Sequence, residues 1–295
     1  MTDLFADSRA RAERLLDILD LEAVEQNLFL GRNELREGRR LFGGQVLSQA
    51  LRAAYHTVDG IWLHSLHGYF MRAGDAEKDV LYEVDRIRDG RSFATRRVVA
   101  IQHGEAIFNL EASFQRDEQG FEHAHPMPNV PPPEELRPDQ EVVAELKCAG
   151  DPLIFPDPGA ARARPFELRS VIQLGSEESR RNRSWNPVWI RFTLPVDPGE
   201  RVLIHCLLAY ASDMGLVSTA MLPHREHVSR DSLQMASLDH ALWLHRPVPI
   251  DEWLLFHKHT SMAHGSRGLA HADFYTREGQ LIASVTQEGL IRQID

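Results

Sequence analysis

The sequence predicts an α+β chain of two tandem units, each an antiparallel sheet wrapped around one long central helix. Three observations carry that expectation. Each half contains a strongly apolar helical stretch; four strand-like segments follow it in both halves; and a proline-rich break, HAHPMPNVPPPEELRPD at His123 to Asp139, lies between them. A helix apolar on nearly every side must be surrounded, and a curved antiparallel sheet can surround it.

In the first half, Gly43-Gly44 opens the helical pattern. Val46, Ala50, Ala54 and Val58 recur every four residues with Leu47 and Leu51 beside them, a broad apolar stripe. Strand-like segments follow at 64–72, 80–88, 92–102 and 106–115. The six prolines of the break forbid regular ladders and helices, and irregular structure is expected to continue to about residue 165. The predicted division is 1–122, an irregular crossover at 123–165, and 166–295. In the second half, 189–194 reads as a strand and 202–211 as the buried helix, with strands at 235–246, 253–262, 268–276 and 281–292. The turn glycines Gly104 and Gly279 stand 175 residues apart in matching hairpins, which suggests a duplication.

Of 295 residues, 43% are hydrophobic and 26% charged, which excludes disorder as the dominant state. The balance of 33 basic and 43 acidic residues gives a net charge of −10, so bulk charge opposes nucleic-acid binding and none is expected. Two cysteines are too few for a disulfide framework or a structural zinc site. The stretch 202–222 is interrupted by His205, Ser212, Asp213, Ser218 and Thr219, so a buried helix is expected there and not a membrane span. With no apolar run of a secretory leader at the start and no targeting signal in the last residues, the expected location is the cytoplasm.

Three polar residues fall where apolar ones belong. Alternation along 281–292 places Gln287 on the face of Val285 and Ala283, whereas Ala112 fills the matching position of the first half. Asp213 follows directly on the apolar helix and is the only acid between Glu200 and Glu226. Ser237 shares a predicted strand face with Asp239, Ala241, Trp243 and His245. Each has an ordinary structural explanation: a strand-end amide bonded to backbone, a helix cap, a satisfied hydroxyl. As a set, a carboxylate, a hydroxyl and a carboxamide suit the holding of one water, with the acid accepting its proton.

Other chemistry finds little support. No Gly-x-Ser-x-Gly elbow exists, Gly265-Ser266-Arg267-Gly268 having the wrong spacing. His205 and Cys206 are adjacent on a helix, where neighbouring side chains diverge. His257 with His259, and His123 with His125, lack a further ligand at usual metal spacing. Gly43-Gly44 alone is too short for a phosphate cradle. No metal and no cofactor are expected.

Leu41-Phe42-Gly43-Gly44-Gln45-Val46, His64-Ser65-Leu66-His67-Gly68-Tyr69-Phe70, Asp89-Gly90-Arg91-Ser92-Phe93, Tyr210-Ala211-Ser212-Asp213, Leu238-Asp239-His240 with Trp243, and Gln287-Glu288-Gly289 together resemble the acyl-CoA thioesterase II family, across nearly the whole chain. The resemblance implies a double hot-dog fold and hydrolysis of fatty acyl-CoA to free acid and CoA, the CoA being part of the substrate. It implies that Asp213, Ser237 and Gln287 hold the attacking water, Ser237 standing where bacterial members carry threonine. Backbone N–H groups near a helix start would stabilise the oxyanion. Arg72, Arg91, Arg96 and Arg246 are candidate phosphate contacts for CoA, each equally well explained as a solvated strand residue. Ala112 argues against a second catalytic centre in the first half, although a looser helix alignment, with His56 opposite Asp213, leaves a different first-half site open. The alternatives are a hot-dog enoyl-CoA hydratase, for which Ser212-Asp213-Met214-Gly215 lacks the asparagine-proline turn, and a non-catalytic acyl-CoA binding module. By family analogy the chain forms homo-oligomers, dimers or tetramers.

Overall fold

A computed structural model describes residues 4–33, 40–149, 164–181, 184–224, 228 and 232–294. Helix α1 (Leu4–Leu19) and the hairpin β1 (Glu22–Glu25) and β2 (Leu28–Gly31) precede the first apolar helix, α2 (Gly43–Tyr55). Strands β3 (Trp62–Phe70), β4 (Val80–Asp89), β5 (Phe93–Gln102) and β6 (Glu105–Gln115) follow it. The second half begins with β7 (Phe166–Ser170), the short α4 (Glu177–Arg181) and β8 (Trp185–Phe192), and reaches its apolar helix at α5 (Arg201–Ser212). After α6 (Leu216–Ala220) come β9 (Leu233–Ser237), β10 (Asp239–Leu244), β11 (Leu254–His264), β12 (Arg267–Tyr275) and β13 (Leu281–Gln293).

All strands belong to one antiparallel sheet, and its order repeats. The first half runs β2-β4-β5-β6-β3 and the second β8-β11-β12-β13-β10, joined where β3 pairs with β10 and His67 faces Ala241. The inner face closes on α2 and α5, which pack on each other. Leu47, Ala50, Leu51 and Ala54 of α2 and Cys206, Leu207 and Leu208 of α5 are fully buried there. The expected pair of wrapped helices is therefore present, and the strand read at 189–194 is β8; β1, β2 and β7 are strands that periodicity did not reveal.

Residues 116–132 carry no ladder, as the prolines require. A helix nevertheless forms within the expected irregular stretch. α3 (Asp139–Cys148) starts as soon as Pro138 is passed and buries Val142 and Val143; positions 150–163 lie outside the described residues. The apolar run 201–220 is long enough to cross a membrane, but 72% of its most apolar 18-residue window is buried in the core, and Gly215 at φ 80° divides the run into α5 and α6.

The expected single strand at 235–246 is two strands. Ser237 faces Gly289, whereas Ala241 faces Thr286, so β9–β10 spends one residue more than β13 over the same span. A bulge of one residue reverses the alternation of side chains. Ser237 accordingly does not share a face with Ala241, Trp243 and His245. Beyond the bulge His240 and Leu242 turn inward, both fully buried, while Trp243 is 42% exposed.

Candidate active site

Asp213 caps the C-terminal end of α5, where Gly215 adopts the left-handed conformation that ends the helix. The buried Lys258 ammonium donates to the Met214 carbonyl at 3.3 Å and fixes this turn. Asp213 itself is nearly buried, at 8% exposure. A carboxylate so placed must be hydrogen-bonded, and two side chains from distant strands serve it. Gln287 on the inner face of β13 donates from Nε2 to Asp213 Oδ1 at 2.8 Å. Ser237, at the end of β9, donates from Oγ to the same oxygen at 3.4 Å. The three residues picked out in the sequence thus meet at one carboxylate.

The other carboxylate oxygen, Oδ2, lies against the start of α2. A Cβ built on Gly43 would sit 2.8 Å from it, and one on Gly44 would sit 2.5 Å from the Tyr210 carbonyl of α5. Only glycine permits both approaches. The preceding residue, Phe42, provides no side-chain cap for α2. The positive end of that helix dipole therefore abuts the Asp213 carboxylate, a setting suited to negative charge. Gly43 was legible in the sequence only as a helix opening; its closeness to Asp213 depends on how α2 crosses α5.

Behind the carboxylate stands a second polar layer. The Ser212 hydroxyl is 2.8 Å from both the Ala209 carbonyl and Nε2 of His240. Burial lowers the His240 pKa to about 4, so the imidazole is neutral at physiological pH.

The first half lacks this set. His56 caps the C-terminal end of α2 as Asp213 caps α5, but it stacks on Phe29 with centroids 5.0 Å apart, and burial lowers its pKa. The positions matching Gln287 and His240 are Ala112 and Leu66, which face each other across β3 and β6. Cys206 and His205 form no thiolate pair. Burial pushes the thiol up to about 12 and the imidazole down to about 3, and His205 Nδ1 shares a hydrogen bond of 2.6 Å with the Tyr55 hydroxyl.

Arg96 overturns one expectation. Its guanidinium is 1% exposed and donates to the Thr57 hydroxyl and carbonyl, to the Arg88 and Thr95 carbonyls and to Asp89. With its donors spent inside the first half it is a structural group and cannot meet a CoA phosphate. Arg72 and Arg246 are held at the surface by Glu105 and Glu122. Among the described residues no group of three or more histidine, cysteine, aspartate or glutamate side chains could hold a metal ion.

Comparison with known proteins agrees with this architecture. Residues 33–115 match the profile of the acyl-CoA thioesterase N-terminal domain, and 173–290 that of acyl-CoA thioesterase. Acyl-coenzyme A thioesterase 8 of Homo sapiens is 38% identical over 96% of this chain and 90% of its own length. Acyl-CoA thioesterase 2 of Haemophilus influenzae is 37% identical over 94% of this chain and 96% of its own. A crystal structure of the acyl-CoA thioesterase II TesB2 from Mycobacterium marinum superposes with a TM-score of 0.77 at 39% identity, covering 95% of this chain and 98% of that one. With both halves matched in order and relatives above one-third identity along the full double hot-dog, the chain belongs to the acyl-CoA thioesterase II family.

Proposed function

We propose that this thioesterase hydrolyses fatty acyl-CoA by direct attack of a water held at Asp213, with Ser237 and Gln287 orienting water and carboxylate. The observation that carries the reading is the convergence of both neutral donors on Asp213 Oδ1 while Oδ2 faces the start of α2. Hydrogen bonds to the ionised form keep a carboxylate available as a base. Asp213 accepts a proton from the water as its oxygen bonds to the thioester carbon. The N–H groups of the first turn of α2 stabilise the resulting oxyanion. Collapse of this intermediate breaks the carbon–sulfur bond. The proton held by Asp213 passes to the departing sulfur, giving free acid and CoA and restoring the carboxylate.

A serine nucleophile would need a strong base beside it. Ser237 instead donates to a carboxylate that Gln287 already occupies, which favours water over an acyl-enzyme. Rapid-quench mass spectrometry during turnover of a saturated acyl-CoA tests this: free thiol should appear with no acyl adduct on the protein. An adduct on Ser237 would replace the mechanism by a covalent one, and water addition to enoyl-CoA with no thiol released from either substrate would point to a hydratase.

The same reading takes 1–122 and 166–295 as the two hot-dog units, with the catalytic set in the second. Self-association is proposed through the outer face of the sheet at the β3–β10 seam, where Tyr69 and Trp243 are 52% and 42% exposed; light scattering should give a mass of two or four chains. Two unpaired thiols, Cys148 and Cys206, suit a reducing compartment such as the cytoplasm.

A further inference from the structure

The geometry points to His240 as a positioning residue of this site, its Nδ1–H donating to Gln287 Oε1 so that the Gln287 amide keeps its nitrogen turned to Asp213. This rests on the reading of Asp213 and Gln287 given above. A glutamine amide can present either its oxygen or its nitrogen to a neighbour. Toward a carboxylate only the nitrogen is useful, and something must hold that orientation. Gln287 Nε2 is committed to Asp213 Oδ1 at 2.8 Å. Its Oε1 is buried, and it and His240 Nδ1 are two of only five buried side-chain nitrogen or oxygen atoms among the described residues without a hydrogen-bond partner.

The two side chains are neighbours by construction. The β10–β13 ladder pairs Leu242 with Val285 and Ala241 with Thr286, and the next step brings His240 opposite Gln287 on the inner face. The Gln287 side chain acts on the imidazole, raising its pKa against the lowering effect of burial.

The tautomer follows from Ser212. Its hydroxyl has one proton and two neighbours at 2.8 Å, the Ala209 carbonyl and His240 Nε2. If the proton goes to Ala209, Nε2 must carry hydrogen, and the bare Nδ1 faces the amide oxygen, two acceptors together in the core. If it goes to Nε2, Nδ1 carries hydrogen and satisfies Gln287 Oε1. The second arrangement pairs both orphaned atoms, and buried polar groups are overwhelmingly paired. It also ties Ser212, the last residue of α5 and neighbour of Asp213, to the strand that carries Gln287.

The internal duplication supplies an independent comparison. Where the second half sets His240 against Gln287, the first sets Leu66 against Ala112, both buried. The polar partners occur together in the half that holds the carboxylate, and apolar ones together in the other. A histidine retained only to fill space would not need an amide opposite it.

The direct test is the tautomer of His240 in the native protein, from nitrogen–proton correlation spectra with ¹⁵N-labelled histidine and His240→Gln used for assignment. A protonated Nδ1 with a bare Nε2 is expected at neutral pH; a protonated Nε2 would overturn the proposal. Kinetics give a second readout that misfolding of one variant cannot remove. The amide nitrogen of His240→Asn can replace Nδ1, whereas His240→Gln reaches toward Ser212 and His240→Leu donates nothing. Leucine and glutamine are expected to lower kcat by about 10- to 100-fold at unchanged KM, with asparagine recovering most of the loss. Equal losses in all three folded variants, or a change in KM alone, would contradict a positioning role. Gln287→Ala separates this proposal from the reading beneath it. If that variant keeps full kcat the water-holding reading is wrong, whatever the tautomer.

Discussion

Gln287 and Asp213, 74 residues apart in the chain, are joined by a 2.8 Å hydrogen bond from the amide nitrogen to one carboxylate oxygen. The bond ties the last strand of the sheet to the end of the buried helix α5. Replacing the donor by a second carboxylate, Gln287→Glu, sets two acids against each other, and like charges at this range raise one pKa strongly. The acid limb of the kcat–pH profile should move upward by about one unit or more. An unchanged limb would show that Asp213 ionisation does not govern turnover.

Ser237 makes the longer contact, 3.4 Å, so its share is expected to be smaller. Ser237→Ala should lower kcat by about 10-fold, the cost of one long hydrogen bond to the carboxylate. Ser237→Thr should keep activity, since the hydroxyl remains and its added methyl restricts rotation. Steady-state kinetics on both variants check this, and equal activity of serine and alanine proteins would remove Ser237 from the site.

Gly43→Ala tests the start of α2. The added Cβ would press on Asp213 Oδ2 at 2.8 Å and on the Phe70 ring at 3.0 Å. The melting temperature should fall modestly while kcat falls by at least about 10-fold. Loss of stability without loss of turnover would argue against the start of α2 as part of the centre.

The histidine between the two helices gives a pH prediction. Burial holds the His205 pKa near 3, below its ordinary 6.5, so the folded chain binds fewer protons there than the unfolded chain. Its contribution to stability is complete above pH 6.5 and is lost as pH falls toward 3. The expected slope is up to roughly 1.4 kcal/mol per pH unit in that window. His205→Asn removes the titrating group and leaves an acceptor for Tyr55, so urea unfolding between pH 4 and 6 (about the centre of the window) should lose that slope. Parallel slopes in the two proteins would assign the acid sensitivity elsewhere.

Much of this architecture is written in local pattern. The apolar repeat of Val46, Ala50 and Ala54 and the continuous apolarity of 202–211 identify the two core helices because burial demands those residues. Gln287 stands out because an amide interrupts an apolar face. What periodicity misses is set by tertiary placement. One bulge between Ser237 and Ala241 reverses the strand and aims His240 inward, and no propensity marks that step. Arg96 reads as a surface cation and is instead a fully bonded interior group, since carbonyls that gather around it come from three separate segments. The strands β1, β2 and β7 are too short for alternation to be distinctive, and α3 begins just where the prolines stop.

The most direct measurement is kcat of Asp213→Asn on a saturated fatty acyl-CoA, followed by thiol release, with circular dichroism to verify the fold. The amide can still hydrogen-bond but cannot take a proton from water. A fall of at least about 100-fold with little change in KM is expected. Near-native turnover in a folded variant would contradict Asp213 as the base.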